Sequence, residues 1–209
     1  MNRIFFAVRS ALLAGFAMAL LASCSCQNSS GGTGPLIAGY AALKPDNLTL
    51  KQCILKLAGS KVEAEIRQTR EGNDIRIDLV VLGTVFESER YRSTDEQFSV
   101  IDTGGERYDP PIPLIKYGMH IGDQWEWTGE YWTGPEPHKA QAKITTSTED
   151  VSYEGGTIHN AIRVQVVRSV DSGRPDVSAT RKLVFWIAPD KGVVKRSFGE
   201  ESSREPLEK

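Results

Sequence analysis

The chain has little of what most enzymes use for catalysis. Its 209 residues include only three cysteines and three histidines. His120, His138 and His159 lie far apart and lack the close ligand spacing of a zinc site, so we expect no metal centre. The chain also has no Gly-x-Ser-x-Gly elbow, no phosphate-binding Gly-x-x-x-x-Gly-Lys and no dinucleotide fingerprint. We therefore predict a protein that has no cofactor and is not an enzyme.

A run of basic residues is also missing. The chain has 25 basic and 27 acidic residues, and loss of residues 1–23 would leave 23 and 27, a net charge of −4. Proteins that bind nucleic acid need basic patches that displace counterions from phosphates. We therefore expect no nucleic-acid partner.

Three cysteines are too few for a disulfide framework. Cys53 lies in the apolar run Cys53-Ile54-Leu55-Lys56-Leu57, where a free cysteine usually packs as a small buried hydrophobe. A disulfide between Cys26 and Cys53 is the alternative in an oxidising compartment, but sequence cannot position the two sulfurs. We favour the buried thiol.

What is present is a specific N-terminal pattern. Arg3 and Arg9 accompany an apolar stretch that runs to Ala22, which is typical of a secretory signal. It ends in Leu21-Ala22-Ser23-Cys24, which resembles the lipobox of bacterial lipoproteins, where Leu21, Ala22 and Ser23 are read by the signal peptidase. The resemblance implies lipidation of Cys24, with acyl chains such as palmitate. The membrane is then a partner, through the lipid anchor at Cys24.

Two other readings of this N-terminal region are weaker. An uncleaved signal anchor over residues 4–22 is nearly long enough to span a membrane, yet Arg9 interrupts it. Cys26 is a poorer lipidation site because Ser23 would then occupy the leucine position. Ser25 after the modified cysteine resembles outer-membrane lipoproteins of enteric bacteria. The expected location is the cell envelope, facing the periplasm or cell exterior, with the outer membrane favoured.

Composition divides the chain into four parts. These are a lipoprotein signal peptide (1–23), a lipidated cysteine with a flexible tether (24–35), a single antiparallel β domain (36–200) and a disordered polar tail (201–209). Residues 27–35 are polar and rich in glycine. Such a tether holds the domain within roughly 20 Å of the membrane surface on average.

Alternation with period two dominates the domain. Val62, Ala64 and Ile66 alternate with charged residues, which predicts a half-buried strand, and the pattern resumes after a turn at residues 70–74. Further short strands separated by turn signals follow as far as Phe198. The fold class is therefore all-β, with a curved antiparallel sheet or a half-open barrel. It is α+β if the ambiguous segment 45–57 is a short helix rather than a strand.

Prolines interrupt the alternation. Pro110, Pro111 and Pro113 are unfavourable in a central strand because proline cannot donate to the ladder. We therefore predict an extended crossover over residues 104–118.

Three short patterns follow in order in the second half. Gly122-Asp123-Gln124-Trp125 comes first, then Gly156-Thr157-Ile158 with Ala161, and last Ala188-Pro189-Asp190-Lys191-Gly192 with Val193 and Lys195. Their order resembles a group of uncharacterised bacterial lipoproteins and related secreted domains. The resemblance implies a curved antiparallel sheet, similar to the half-open barrels of lipoprotein-localisation carriers. It implies no activity.

Tryptophans are the candidate ligand-binding residues. Trp125 and Trp127 face the same way on a strand, and flat rings can stack on sugars or line a lipid cavity. Core packing is the more common role for such residues. With Trp132 and Trp186 they form the predicted site for an apolar ligand or an envelope protein.

Paired carboxylates offer a second, weaker candidate. Glu63 and Glu65 share a strand face, as do Glu87 and Glu89, and two carboxylates could serve a membrane-proximal hydrolase. Basic neighbours favour solvated faces with cross-strand ion pairs instead.

We therefore predict a lipid-anchored, non-catalytic binding or accessory module. The alternatives are a purely structural or interaction lipoprotein with a filled core and the hydrolase.

Overall fold

Alternating polar and apolar residues form β-strands along the whole described chain. The computed structural model describes Gly34 and residues 51–207, apart from residues 58, 154, 172–177, 189–190 and 199–201. Its strands are β1 (Gln52–Leu57), β2 (Ser60–Glu71), β3 (Asp74–Val81), β4 (Thr84–Ser93), β5 (Gln97–Thr103), β6 (Glu106–Lys116), β7 (Gln124–Trp132), β8 (Pro137–Tyr153), β9 (Gly156–Asp171), β10 (Ser178–Ala188), β11 (Gly192–Ser197) and β12 (Ser202–Leu207). Among these residues no helix is long and apolar enough to cross a membrane.

The strands form a closed antiparallel barrel. Each strand pairs with its neighbours in sequence, and β1 pairs with β12 to complete the ring. Gln52 lies opposite Leu207, and Leu57 lies opposite Ser202. The all-β antiparallel prediction is confirmed, and the sheet closes fully rather than remaining half-open.

Alternate residues of each strand point into the barrel, where the core lies. On β3, Ile75, Ile77 and Leu79 are buried, whereas Arg76 and Asp78 point outward and form an ion pair at 2.8 Å. Burial of one apolar side chain contributes about 1.5–3 kcal/mol, so a strand with three such residues is fixed in register.

A tight turn connects β3 to β4. Leu82 and Gly83 both have positive φ, at 50° and 81°. Two successive residues of positive φ match the twist of a two-residue hairpin, and glycine adopts this conformation without strain. Leu82 is fully exposed at this turn, and Val85 and Phe86 beside it are also exposed.

The proline crossover is a wrong prediction. Residues 106–116 form β6, which pairs with β5 on one side and β7 on the other. Pairing with β7 covers only Arg107 to Asp109 and stops where the prolines begin. The prolines are therefore accommodated at a gap in the ladder rather than excluded from the strand.

Two further predictions concern the ends of the domain. The disordered tail predicted for 201–209 is wrong for residues 202–207, because these form β12 and complete the ring. Within the ambiguous segment 45–57, residues 52–57 form strand β1, and residues 45–50 lie outside the described residues. Cys53 is a buried free thiol, as favoured above.

Candidate functional site

The predicted lipidation site lies outside the described residues. Leu21, Ala22, Ser23 and Cys24 belong to that part of the chain, as do the predicted signal peptide and all of the predicted tether except Gly34. The backbone N–H of Gly34 donates to the carbonyl of Ile121 at 3.1 Å. Gly34 therefore lies against the loop between β6 and β7.

Two of the four candidate tryptophans join strands β6 and β7 inside the barrel. Trp125 and Trp127 are buried. Their indole N–H groups donate to the carbonyls of Pro113 at 3.0 Å and Pro110 at 2.9 Å. These bonds replace the ladder bonds that end after Asp109, so both rings act as structural links.

Trp132 and Trp186 lie on the outer face, on strands β7 and β10, which are separated by β8 and β9. Trp186 is 7% exposed and lies between the cations of Arg163 and Lys195, at 5.8 and 4.8 Å from the ring centroid. Trp132 is half-buried on β7, and Arg107 stacks over its ring at 4.5 Å. The four tryptophans therefore form no common surface.

A pocket of about 450 Å³ adjoins Trp132. It lies at the barrel end formed by the β5–β6 turn (residues 104–105) and the β7–β8 turn (residues 133–136). Asp102 and Arg107 line it beside the Trp132 ring, together with Ser88 and Thr103. Its volume is in the range of small-molecule sites.

Two acidic residues, Asp102 and Glu106, line this pocket, and Glu106 is ion-paired with Arg168 and Arg181. Asp102 is the one on the outer face. Burial raises its pKa and outweighs the opposing effect of Arg90. The Arg90 guanidinium lies 3.5 Å from the Asp102 carboxylate. Within the described part of the chain the carboxylate makes no hydrogen bond, so it retains acceptor capacity at the pocket wall.

A second pocket, of about 590 Å³, lies beside β7, β8 and β9. Its lining includes Gly129, Gln141 and Ser169. None of the candidate site residues lines it.

The barrel interior holds an ion cluster around Glu89 that sequence reasoning missed. Glu89 is fully buried on β4, and its carboxylate accepts bonds from Arg196, from Arg204 at 2.9 and 3.0 Å, and from the hydroxyl of Tyr91 at 2.7 Å. Arg196 also contacts Glu87. This cluster connects β4 across the barrel to β11 and β12.

A similar cluster surrounds Glu106 on β6. Arg168 binds its carboxylate with two bonds, at 2.7 and 3.0 Å, and Arg181 binds it as well. The hydroxyl of Tyr108 donates to it at 2.6 Å. This cluster connects β6 to β9 and β10.

The two clusters share a sequence signal, the segment Glu-Arg-Tyr. It occurs at Glu89-Arg90-Tyr91 and at Glu106-Arg107-Tyr108. In each segment the glutamate and tyrosine point inward and the arginine points outward, as period two requires. The repetition could have identified the clusters, whereas residue alternation alone could not say which face is internal.

Electrostatics fix the charge states of the Glu89 cluster. Burial alone would raise the pKa of Glu89, but the guanidinium groups of Arg204 and Arg196 outweigh it and lower that pKa to about 2. Burial and the adjacent carboxylate raise the pKa of Tyr91 well above its ordinary value. A carboxylate held ionised by two arginines is unsuited to donate a proton in acid catalysis.

The two carboxylate pairs lie on different faces of the barrel. Glu63 and Glu65 face solvent, as expected, and Glu65 pairs with Arg67 at 3.0 Å. The solvated face expected for Glu87 and Glu89 is wrong, because it lines the barrel interior. The prediction that Glu87 and Glu89 share one face of the strand is confirmed, but the predicted orientation of that face towards solvent is wrong.

The three histidines are exposed and lie on separate elements. His159 Nδ1 lies 2.8 Å from the Asp150 carboxylate. Among the described residues no group of His, Cys, Asp and Glu has the arrangement of a metal site.

No protein-family model matches the chain, and no curated protein does. One solved structure that resembles it is described as an exported protein with a YmcC-like fold from Bacteroides fragilis. It is 14% identical, with a TM-score of 0.38, and the match covers 75% of this chain and 94% of that one. An overlap this weak carries no argument about function.

Proposed function

We propose that the protein is a lipid-anchored bacterial envelope protein with a non-catalytic binding role, and that it binds its ligand at the pocket beside Trp132. The observation that carries this proposal is the closed interior. Two ion clusters and apolar side chains occupy the barrel, so a ligand has its site at the rim.

The position of the tether supports an outward-facing pocket. Gly34 contacts the β6–β7 loop, whereas the pocket lies at the turns of the opposite barrel end. Gly34 lies ten positions after Cys24, and this stretch of chain spans at most about 35 Å. The lipid anchor therefore holds the β6–β7 end towards the membrane and leaves the pocket open to its surroundings.

Lipidation is tested by replacing Cys24 with serine. We expect the Cys24→Ser chain to lose labelled palmitate and to leave the membrane fraction, with Cys26→Ser as the matched control that keeps both. A Cys24→Ser chain that is still processed and lipid-modified contradicts the anchor.

Binding is tested by native mass spectrometry of the full lipidated chain in mild detergent. We expect a bound mass that Trp132→Ala abolishes and that Phe86→Ala, which changes an exposed aromatic outside the pocket, retains. A native chain without a bound mass, or a mass that survives Trp132→Ala, contradicts this binding role.

The filled core favours a second candidate, a purely structural or interaction lipoprotein. Trp125, Trp127 and Trp186 are buried and do not line the Trp132 pocket. On this alternative the pocket has no ligand, and the Trp132→Ala variant behaves as the native chain does in every binding measurement.

A further inference from the structure

The pocket beside Trp132 contains hydrogen-bonding groups of both kinds next to an aromatic ring. The groups come from one continuous row across the outer face, in which Asp102 pairs with Arg107 and Arg107 pairs with Trp132. Because they project from paired strands rather than from loops, their relative positions are fixed.

The polar groups complement one another. The half-buried Asp102 carboxylate is an acceptor without a hydrogen bond in the described residues, and the Arg107 guanidinium is a donor. Adjacent acceptors and donors match a ligand whose neighbouring groups both donate and accept, as hydroxyl groups do.

Charge around the pocket disfavours an ionic ligand. A cation near Asp102 would meet Arg90 and Arg107, and an anion near Arg107 would meet Asp102. The other carboxylate of the lining, Glu106, is already paired with Arg168 and Arg181. Arg107 covers one face of the Trp132 indole. The half-buried ring offers its remaining surface to a partner with an apolar face. The remaining class is a neutral molecule with one apolar face and several hydroxyl groups.

We propose that the pocket beside Trp132 binds a neutral saccharide, with the sugar ring against the Trp132 indole and its hydroxyl groups bonded to Asp102 and Arg107. This inference rests on the binding role proposed above and names its ligand class. The pocket of about 450 Å³ is large enough for a short oligosaccharide.

The experiment measures binding of maltotriose, cellotriose and the β-1,4-linked trimer of N-acetylglucosamine to the full chain in detergent by saturation-transfer NMR and calorimetry. At least one trisaccharide is expected to bind, with affinity reduced tenfold or more by Trp132→Ala and by Asp102→Ala. Phe86→Ala is the matched control that keeps the native affinity. Thermal unfolding of each variant shows that it is folded.

Three outcomes overturn the saccharide proposal. The first is that no trimer binds up to about 10 mM, a concentration well above the Kd of a weak ligand. The second is that both pocket variants retain binding. The third is that the chain prefers trilysine, which serves as a cationic probe. A non-saccharide mass that co-purifies and is lost in Trp132→Ala would refute the saccharide class while supporting the binding role. Absence of both signals refutes both proposals.

Discussion

Glu89 is fully buried and ionised, so it depends on its ion-pair and hydrogen-bond partners. Its carboxylate is bonded to Arg196, Arg204 and Tyr91. Removing one partner of a buried ion pair leaves uncompensated charge and costs about 3–5 kcal/mol, even where the intact pair adds little net stability. The cluster therefore makes the fold sensitive to loss of a single charge.

Glu89→Gln is expected to lower the free energy of unfolding by about 3–5 kcal/mol, because the Arg204 guanidinium loses its carboxylate in the core. Urea denaturation of the native and variant chains measures the difference. The matched control is Glu65→Gln, which breaks an exposed pair with Arg67 and should change stability little. Equal effects of the two substitutions would contradict the buried cluster.

The same residue predicts a pH dependence. Folding lowers the pKa of Glu89 to about 2, since Arg204 and Arg196 outweigh the effect of burial. The stability it contributes is fully present above the ordinary glutamate pKa of about 4.3 and is lost as pH falls towards about 2. Stability differences between the native chain and Glu89→Gln, measured from about pH 6 to pH 2, should shrink over this window. A difference that stays constant would contradict the assignment.

Among the elements, the β6–β7 seam is the weakest junction in the middle of the chain. Only three residue pairs connect the strands, and Trp125 and Trp127 supply further bonds from their side chains. Gly129 permits this arrangement, because a Cβ there would lie 2.5 Å from the Trp127 ring and 2.6 Å from the Asp109 carbonyl oxygen.

Gly129→Ala is expected to destabilise the protein by about 1–3 kcal/mol through overpacking at this seam. Gly134→Ala is the matched control, since a Cβ at Gly134 meets no atom within 4 Å. Thermal unfolding compares the two, and amide hydrogen exchange should show faster exchange in β6 and β7 of the Gly129 variant. An unchanged melting temperature would mean that the seam relaxes freely.

Sequence patterns predict most of the strands, but they do not predict which face of a strand is buried or which residues compensate for its prolines. Alternation predicts β2 and β3 because a half-buried strand needs an apolar residue at every second position. It cannot assign Glu87 and Glu89 to the interior, since charged residues occupy both faces of β4. Nor can it predict β6, where Trp125 and Trp127 on another strand compensate for the prolines. Of the residues that line the pocket beside Trp132, the sequence predicts only Trp132 itself, because the register that brings Asp102 and Arg107 to it is not local.

At the scale of the whole molecule, closure joins segments that are distant in sequence. Cys53 on β1 lies opposite Pro206 on β12. Its thiol is completely buried, and burial raises its pKa to about 11. Access to this thiol therefore reports opening of the ring.

Iodoacetamide labelling of Cys53 tests this coupling. In a chain carrying Cys24→Ser and Cys26→Ser, Cys53 should stay unlabelled at about pH 8 and react only as denaturant unfolds the protein, because an exposed cysteine has a pKa near 8.5. Mass spectrometry follows the label, and circular dichroism gives the unfolding curve. Labelling well before the loss of β signal would show that β1 and β12 separate independently.

The pairing of β1 with β12 also sets an order of events during synthesis. A nascent chain exposes Glu89 well before Arg196 and Arg204 have been added, so for most of its elongation this carboxylate has no guanidinium partner and the sheet has two open edges. The ring can form only when residues 202–207 emerge. Until then β1 and β11 lack the partner strand that joins them, and addition of β12 supplies it to both at once.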